Sequence, residues 1–208
     1  MKTGLINEVK ELMKNKVSIE VDRRIKEFEK FENKSEEEWF SELCFCILTA
    51  NSKADTAIKI QQEIGSRFLD KSKENIRKII KKNKHRFHNK KADFICKAKK
   101  FTNIKKIIQE KNDFEAREWL VKNVKGLGYK EASHFLRNVG RKNIAILDRH
   151  ILSVLHKYDT INEIPKTLTK KRYLYIEKKF IEISKKLGIS AAELDLYLWY
   201  MKTGKVLK

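Results

Sequence analysis

The stretch Val124-Lys125-Gly126-Leu127-Gly128-Tyr129-Lys130-Glu131-Ala132 decides how the rest of this chain is read. Two glycines flank one apolar residue. The segments on either side carry helical periodicity, Asp113 to about Val124 before and residues 129–139 after, with Gly140 as a stop. Glycine tolerates positive φ and leaves no side chain in the way of a close ligand. A turn of this kind can point successive backbone N–H groups outward at the mouth of the following helix, where a DNA phosphate would sit. An ordinary tight link between two helices would use the same residues, so the meaning of the hairpin depends on what surrounds it.

Lys130 falls in the first turn of the helix that leaves the hairpin. The positive end of the helix dipole disfavours a cation there, and partial burial would push the same way. An amine left uncharged at neutral pH is what a covalent-catalysis lysine requires. The alternative is one more surface lysine. Downstream, Ala145-Ile146-Leu147-Asp148-Arg149-His150 places a carboxylate directly after an apolar run and at a helix start. Asp148 is a good N-cap, and no Glu or Gln stands at Ile151 to make a capping box. Capping and catalysis are compatible, since the cap fixes the carboxylate. Arg149 and His150 are read as contacts to DNA phosphates, with packing as the alternative for His150.

Charge supplies the context. Among 208 residues, Lys and Arg number 48 against 28 Asp and Glu, a formal net charge of +20. An imbalance of this size in a folded chain suggests a polyanionic partner, DNA or RNA first. A surface adapted to heat accounts for many charges but not for an excess of one sign. Hydrophobic residues make up 41%, which excludes a disordered tail. Cys44, Cys46 and Cys96 form no four-cysteine zinc or iron–sulfur set, and the first two sit in an apolar run as buried thiols. No metal site is expected. With no leader and no apolar run near the roughly 18 residues a membrane helix needs, the expectation is a cytoplasmic protein without membrane contact.

One proline and seven glycines argue for helices rather than a loop-rich β sandwich. Ser35 and Glu38 read as a capping box opening a helix through Trp39, Leu43 and Ile47. Another begins near Ser52 and ends before Gly65; helical segments follow at 72–83 and 90–109. Asp148 caps the next, residues 169–187 form a long helix closed by Gly188, and the last runs from the Ser190–Glu193 box to Gly204. The expected architecture is all-α, about ten helices, in a two-lobed bundle. Residues 50–147 form the central lobe with the hairpin at 124–132; residues 1–49 and 148–208 form the second, with a DNA cleft between the lobes.

Gly126, Gly128, Lys130 and Asp148 together resemble the signature of the helix-hairpin-helix DNA glycosylases, a family that includes endonuclease III and the 8-oxoguanine enzymes. Its pattern is a Gly-apolar-Gly hairpin, a lysine soon after it in members that also nick the strand, and an aspartate further downstream. Leu48-Thr49-Ala50-Asn51-Ser52-Lys53-Ala54-Asp55 looks like the family's loop that fills the hole left by a flipped base, with Asn51 inserted. Phe87-His88-Asn89-Lys90-Lys91-Ala92 resembles the family's aromatic-x-x-Lys-Ala segment, with one extra residue here. The resemblance covers residues 36–157. Iron–sulfur members end in a four-cysteine cluster that this tail lacks, and there is no room for the extra β domain of the eukaryotic-type enzymes. Size, lysine and a short tail over 199–208 look like the compact archaeal type-2 8-oxoguanine DNA glycosylase/AP lyases. In that group the terminal lysine, here Lys208, is implicated in reading the oxidised base.

The resemblance implies a DNA-repair enzyme acting as a monomer on double-stranded DNA that contains an oxidised base. It requires no cofactor, although a monovalent cation on the hairpin carbonyls fits by analogy. A flipped base needs a flat wall and polar groups aimed at its edge. On the last helix Leu194, Leu198 and Met201 share the core stripe, while Asp195, Trp199 and Lys202 share the next. Trp199 is the candidate wall and His134 the opposite one, with plain core packing as the alternative for each. Asp195 or the Lys208 carboxylate is the candidate acceptor for the N7–H that distinguishes 8-oxoguanine from guanine. The rival readings are a glycosylase for oxidised pyrimidines and a non-catalytic DNA-binding module, which would need the hairpin but neither Lys130 nor Asp148.

Overall fold

The computed structural model describes residues 4–208, and among them twelve α-helices and one 3-10 turn account for the regular structure, without a strand. The first two helices, α1 (Gly4–Met13) and α2 (Val17–Lys30), lie where the sequence reading assigned none. Each is amphipathic: Leu5 and Val9 of α1, and Val17, Val21, Ile25 and Phe28 of α2, recur on one face and are buried.

The helix α3 (Glu36–Thr49) opens on the Ser35–Glu38 capping box, with the Glu38 amide on Ser35 Oγ and the Ser35 amide on Glu38 Oε2. From Trp39 to Thr49 every residue is buried, as expected for a helix apolar on all sides. Around it come α4 (Ala54–Ile64), α5 (Lys73–Lys82), α6 (His88–Ala98), α7 (Ile104–Gln109), α8 (Asp113–Asn123) and α9 (Tyr129–Asn138). Glu42 in the middle of α3 accepts from Gln61 of α4 at 2.9 Å and from Asn138 of α9 at 2.6 Å. A buried carboxylate satisfied in this way fixes the register of three helices.

The helical segment expected over 90–109 is two helices. The apolar rhythm of Ile95 and Ala98 resumes at Ile104 and Ile108, which is why periodicity ran them together. The Glu36 carboxylate imposes the break: it accepts from the Lys105 and Lys106 amides at 2.8 and 3.2 Å and so caps the start of α7 from another helix.

Three more helices complete the chain: α10 (Arg149–Lys157), α11 (Lys170–Leu187) and α12 (Ala191–Thr203). The chain divides into two compact units, Phe31–Val139 and the residues up to Lys30 joined with Gly140–Lys208. Residues 31–49, placed by sequence with the termini, thus belong to the first unit, because α3 is its core. Residues 140–147 belong to the second, where the buried run Ile144–Leu147 runs along α11. There the Ala145 amide donates to Glu177 at 3.0 Å, and the Tyr173 hydroxyl donates to the Ala145 carbonyl at 2.6 Å.

Candidate active site

In the Phe31–Val139 unit the hairpin joins α8 to α9. Gly126 has φ +92°, and a Cβ added there would lie 2.5 Å from Phe94 Cδ2, so both backbone and space require glycine. Gly128 differs. Its φ of −98° is open to any residue, so of the two glycines Gly126 alone uses the freedom of positive φ. What the Gly128 position supplies is its N–H, which donates to Glu131 Oε2 at 3.2 Å, while the Leu127 N–H donates to the Val124 carbonyl at 3.3 Å. These two amides are engaged by the protein's own groups, a carboxylate and a carbonyl, rather than pointed outward at an external anion.

Lys130 is the second residue of α9. Its side chain is 27% exposed, and Nζ lies 3.2 Å from Glu131 Oε1. Glu131 thus touches both the hairpin backbone and the lysine amine. A second lysine shares this electrostatic neighbourhood. Lys91 of α6 is 4% exposed and donates to the Ile47 carbonyl at 2.6 Å. Burial pulls its amine down to about 8, against the Glu131 carboxylate and with help from Lys130. Asn51 is exposed and has φ +58°, an uncommon posture for a residue other than glycine though one asparagine tolerates. His134, expected as a pocket wall, is buried, with its ring edge-on to Phe45 at 5.6 Å.

The other unit carries the remaining candidates. Asp148 is the N-cap of α10, its Oδ1 accepting from the Ile151 amide at 2.8 Å. The anchored run before it and the cap after it leave the carboxylate little freedom. Arg149 and His150 are exposed. The His150 ring lies 4.8 Å from that of Trp199 at 84°, so α10 brings it beside the wall candidate of α12. Trp199 Nε1 is buried without a partner among the described residues. Lys202, one turn on, donates to Ser153 of α10 at 3.3 Å. Asp195 is buried at 4% exposure and Lys208 is half-buried.

Sequence reasoning missed Lys91, Glu131 and Phe94, and also His85. Glu131 had a local signal, standing three residues after Gly128 with its partners Gly128 and Lys130 close in the chain. For the other three the only local signal was the run Phe87 to Ala92: their partners lie far away in the chain, and a lysine rich in neighbouring lysines announces nothing by itself. Among the described residues no group of three His, Cys, Asp or Glu side chains is arranged to hold a metal, and no helix is long and apolar enough to cross a membrane.

Comparison with known proteins adds to this geometry. Residues 21–189 match the family model described as 8-oxoguanine DNA glycosylase. The 8-oxoguanine DNA glycosylase/AP lyase of Methanocaldococcus jannaschii is 51% identical over 205 residues, covering 98% of this chain and 99% of that one. The corresponding protein of Korarchaeum cryptofilum is 48% identical, with 98% of each chain covered. The crystal structure of the M. jannaschii enzyme in complex with a 15mer DNA containing 8-oxoguanine superposes with a TM-score of 0.96, covering 98% of this chain and 99% of that one. The Thermotoga maritima 8-oxoguanine DNA glycosylase, 40% identical, superposes with a TM-score of 0.93 over 99% of both chains.

Proposed function

The chain belongs to the 8-oxoguanine DNA glycosylase family, and from that premise we propose that it excises 8-oxoguanine from double-stranded DNA and then nicks the strand at the resulting site. The observation that carries the proposal is the placement of Lys130. Its amine sits in the first turn of α9, directly after the Gly126-Leu127-Gly128 hairpin, in a chain of formal net charge +20.

The chemistry follows from the groups present. Lysine and arginine side chains hold the phosphates, and Asn51 enters the stack as the damaged nucleotide rotates out, at an unstacking cost of a few kcal/mol. The Lys130 lone pair attacks C1′ of the sugar. The C1′–N9 bond breaks, its electron pair leaves with the base, and the base takes up a proton. The Asp148 carboxylate offsets the positive charge that develops on the sugar. The C1′–O4′ bond then breaks, a proton passes from nitrogen to O4′, and the iminium between Lys130 and C1′ results. Loss of a C2′ proton then expels the 3′ phosphate, and water releases the lysine. No redox or divalent-metal step enters. A monovalent cation on the hairpin carbonyls belongs to the proposal as an aid to DNA binding, tested by exchanging potassium for a bulky organic cation at constant ionic strength.

For the base, Trp199 supplies the flat wall, with His150 set against it. Asp195 and Lys208 are the polar groups assigned to the base edge, and His134 acts from inside its own unit. The enzyme works as a monomer inside the cell, where its DNA substrate is.

Borohydride should trap the wild-type protein covalently on 8-oxoguanine DNA, and Lys130→Gln should yield no adduct. An adduct with the Gln variant would move the nucleophile elsewhere. Asn is as good an N-cap as Asp. Asp148→Asn should therefore keep the thermal stability to within about 1 kcal/mol while excision slows strongly. Full excision by that variant would remove Asp148 from the scheme. Thymine glycol duplexes assayed in parallel decide between this reading and an oxidised-pyrimidine glycosylase: preference for 8-oxoguanine is expected, and faster cutting at thymine glycol would favour the rival.

A further inference from the structure

The last four carbonyls of an α-helix have no partner within it, and α3 ends with neither a glycine nor a polar C-cap side chain. All four are nevertheless satisfied. The Cys46 carbonyl accepts from Thr49 Oγ1 at 2.9 Å and the Thr49 carbonyl from the Ser52 amide at 3.0 Å. The other two are met from far along the chain, Ile47 by Lys91 Nζ at 2.6 Å and Leu48 by His85 Nε2 at 3.0 Å. His85 Nδ1 accepts from the Phe87 amide at 3.1 Å, so the ring is the neutral tautomer with its proton on Nε2, directed at Leu48. Both side chains are buried, and burial lowers the proton affinity of each.

Directly beyond this end the chain turns through Ala50 and Asn51. Among the described residues Asn51 has no hydrogen-bonded partner that would hold it at φ +58°, so the posture of the loop is inherited from the helix end that launches it.

We propose that His85 and Lys91 are positioning residues that clamp the carbonyl end of α3 and so hold the Asn51 loop ready to enter the duplex. This rests on the reading of Asn51 as the inserted residue. The clamp touches neither DNA nor the reacting atoms and acts through Asn51 alone. It therefore matters for the step in which a stacked base must be displaced. It matters little at an abasic site, which offers no base to turn out.

The test is a mutant cycle on the full chain, read under single turnover on two substrates, 8-oxoguanine duplex and the same duplex with a preformed abasic site. Lys91→Met should slow 8-oxoguanine excision by about tenfold while abasic-site nicking stays within about threefold, and its effect should vanish in an Asn51→Ala background, since residues acting through one another are not additive. Lys91→Arg, which keeps a donor, should restore part of the loss. Should Lys91→Met fail to fold, His85→Gln tests the same pattern at the Leu48 carbonyl. Equal losses on both substrates, no loss on either, or effects that multiply with Asn51→Ala would overturn the clamp. Unchanged excision by Asn51→Ala alone would instead overturn the reading of Asn51 on which the clamp rests.

Discussion

Lys91 and Lys130 both feel the Glu131 carboxylate, and the protein treats the two amines in opposite ways. Lys91 is sealed in, its Nζ spent on the carbonyl end of α3. Lys130 keeps a quarter of its side chain in solvent and lies beside a carboxylate that also braces the hairpin. The more deeply buried lysine is the structural one. Desolvation makes an amine easy to deprotonate, but a nucleophile also needs an approach path, which burial denies Lys91 and partial exposure leaves open to Lys130. A lysine whose proton affinity is lowered is thus not by itself a nucleophile.

The sharpest way to separate the two is by pH. Folding lowers the Lys91 amine from an ordinary value of 10.5 to about 8, so between those values the unfolded chain binds a proton that the folded one does not. Stability then rises with pH across that window, is fully gained above it and is lost as pH falls to about 8. The stability of the wild type relative to Lys91→Met should grow by up to about 3 kcal/mol from pH 8 to 10.5, measured by urea unfolding at each pH. A difference flat across that range would show that Lys91 keeps its ordinary proton affinity in the fold.

The hairpin sharpens the comparison with a pair of substitutions of its own. Gly126→Ala forces a Cβ onto the Phe94 ring at a φ of +92° and should cost about 2 kcal/mol. Gly128→Ala meets only the end of the flexible Glu131 side chain at 3.2 Å and at φ −98°, and should cost under about 1 kcal/mol. Thermal unfolding of the two variants reads the difference. If Gly128→Ala proved as costly, that position would need glycine for a reason other than local space.

These contrasts also explain what the sequence made visible. Gly126, Lys130 and Asp148 stand out because each meets its constraint within a few residues, at a turn or a helix start. The boxes at Ser35 and Ser190 and the left-handed Gly188 were legible for the same reason. The C-terminal cap of α3 and the N-terminal cap of α7 were not. His85 and Lys91 serve carbonyls of residues 47 and 48, and Glu36 serves amides at 105 and 106, pairings that only the folded chain creates. The first two helices went unassigned for a different reason. Their apolar stripes are regular, but α1 has no acidic residue in its first turn to mark its start, and α2 has only Glu20.

The smallest effect is expected where a local signal was expected but is missing. The turn after α5 closes with the His85 amide on the Ile80 carbonyl at 3.2 Å and the Lys84 amide on the Lys81 carbonyl at 2.9 Å. This Schellman arrangement places the residue just before His85 in the left-handed region, where glycine is the usual occupant. Here it is Lys84, at φ +56°, and the turn it makes is what sends His85 inward to Leu48. Lys84→Gly removes the Cβ strain at the expense of a more flexible unfolded chain. It should raise stability by about 0.5 kcal/mol, a shift of roughly 1–2 °C in Tm for a chain of this length. Because the glycine adopts the same turn, excision of 8-oxoguanine should not change. A loss of excision without a loss of stability would show that Lys84 itself holds DNA, and would move the purpose of this turn from aiming His85 to gripping phosphate.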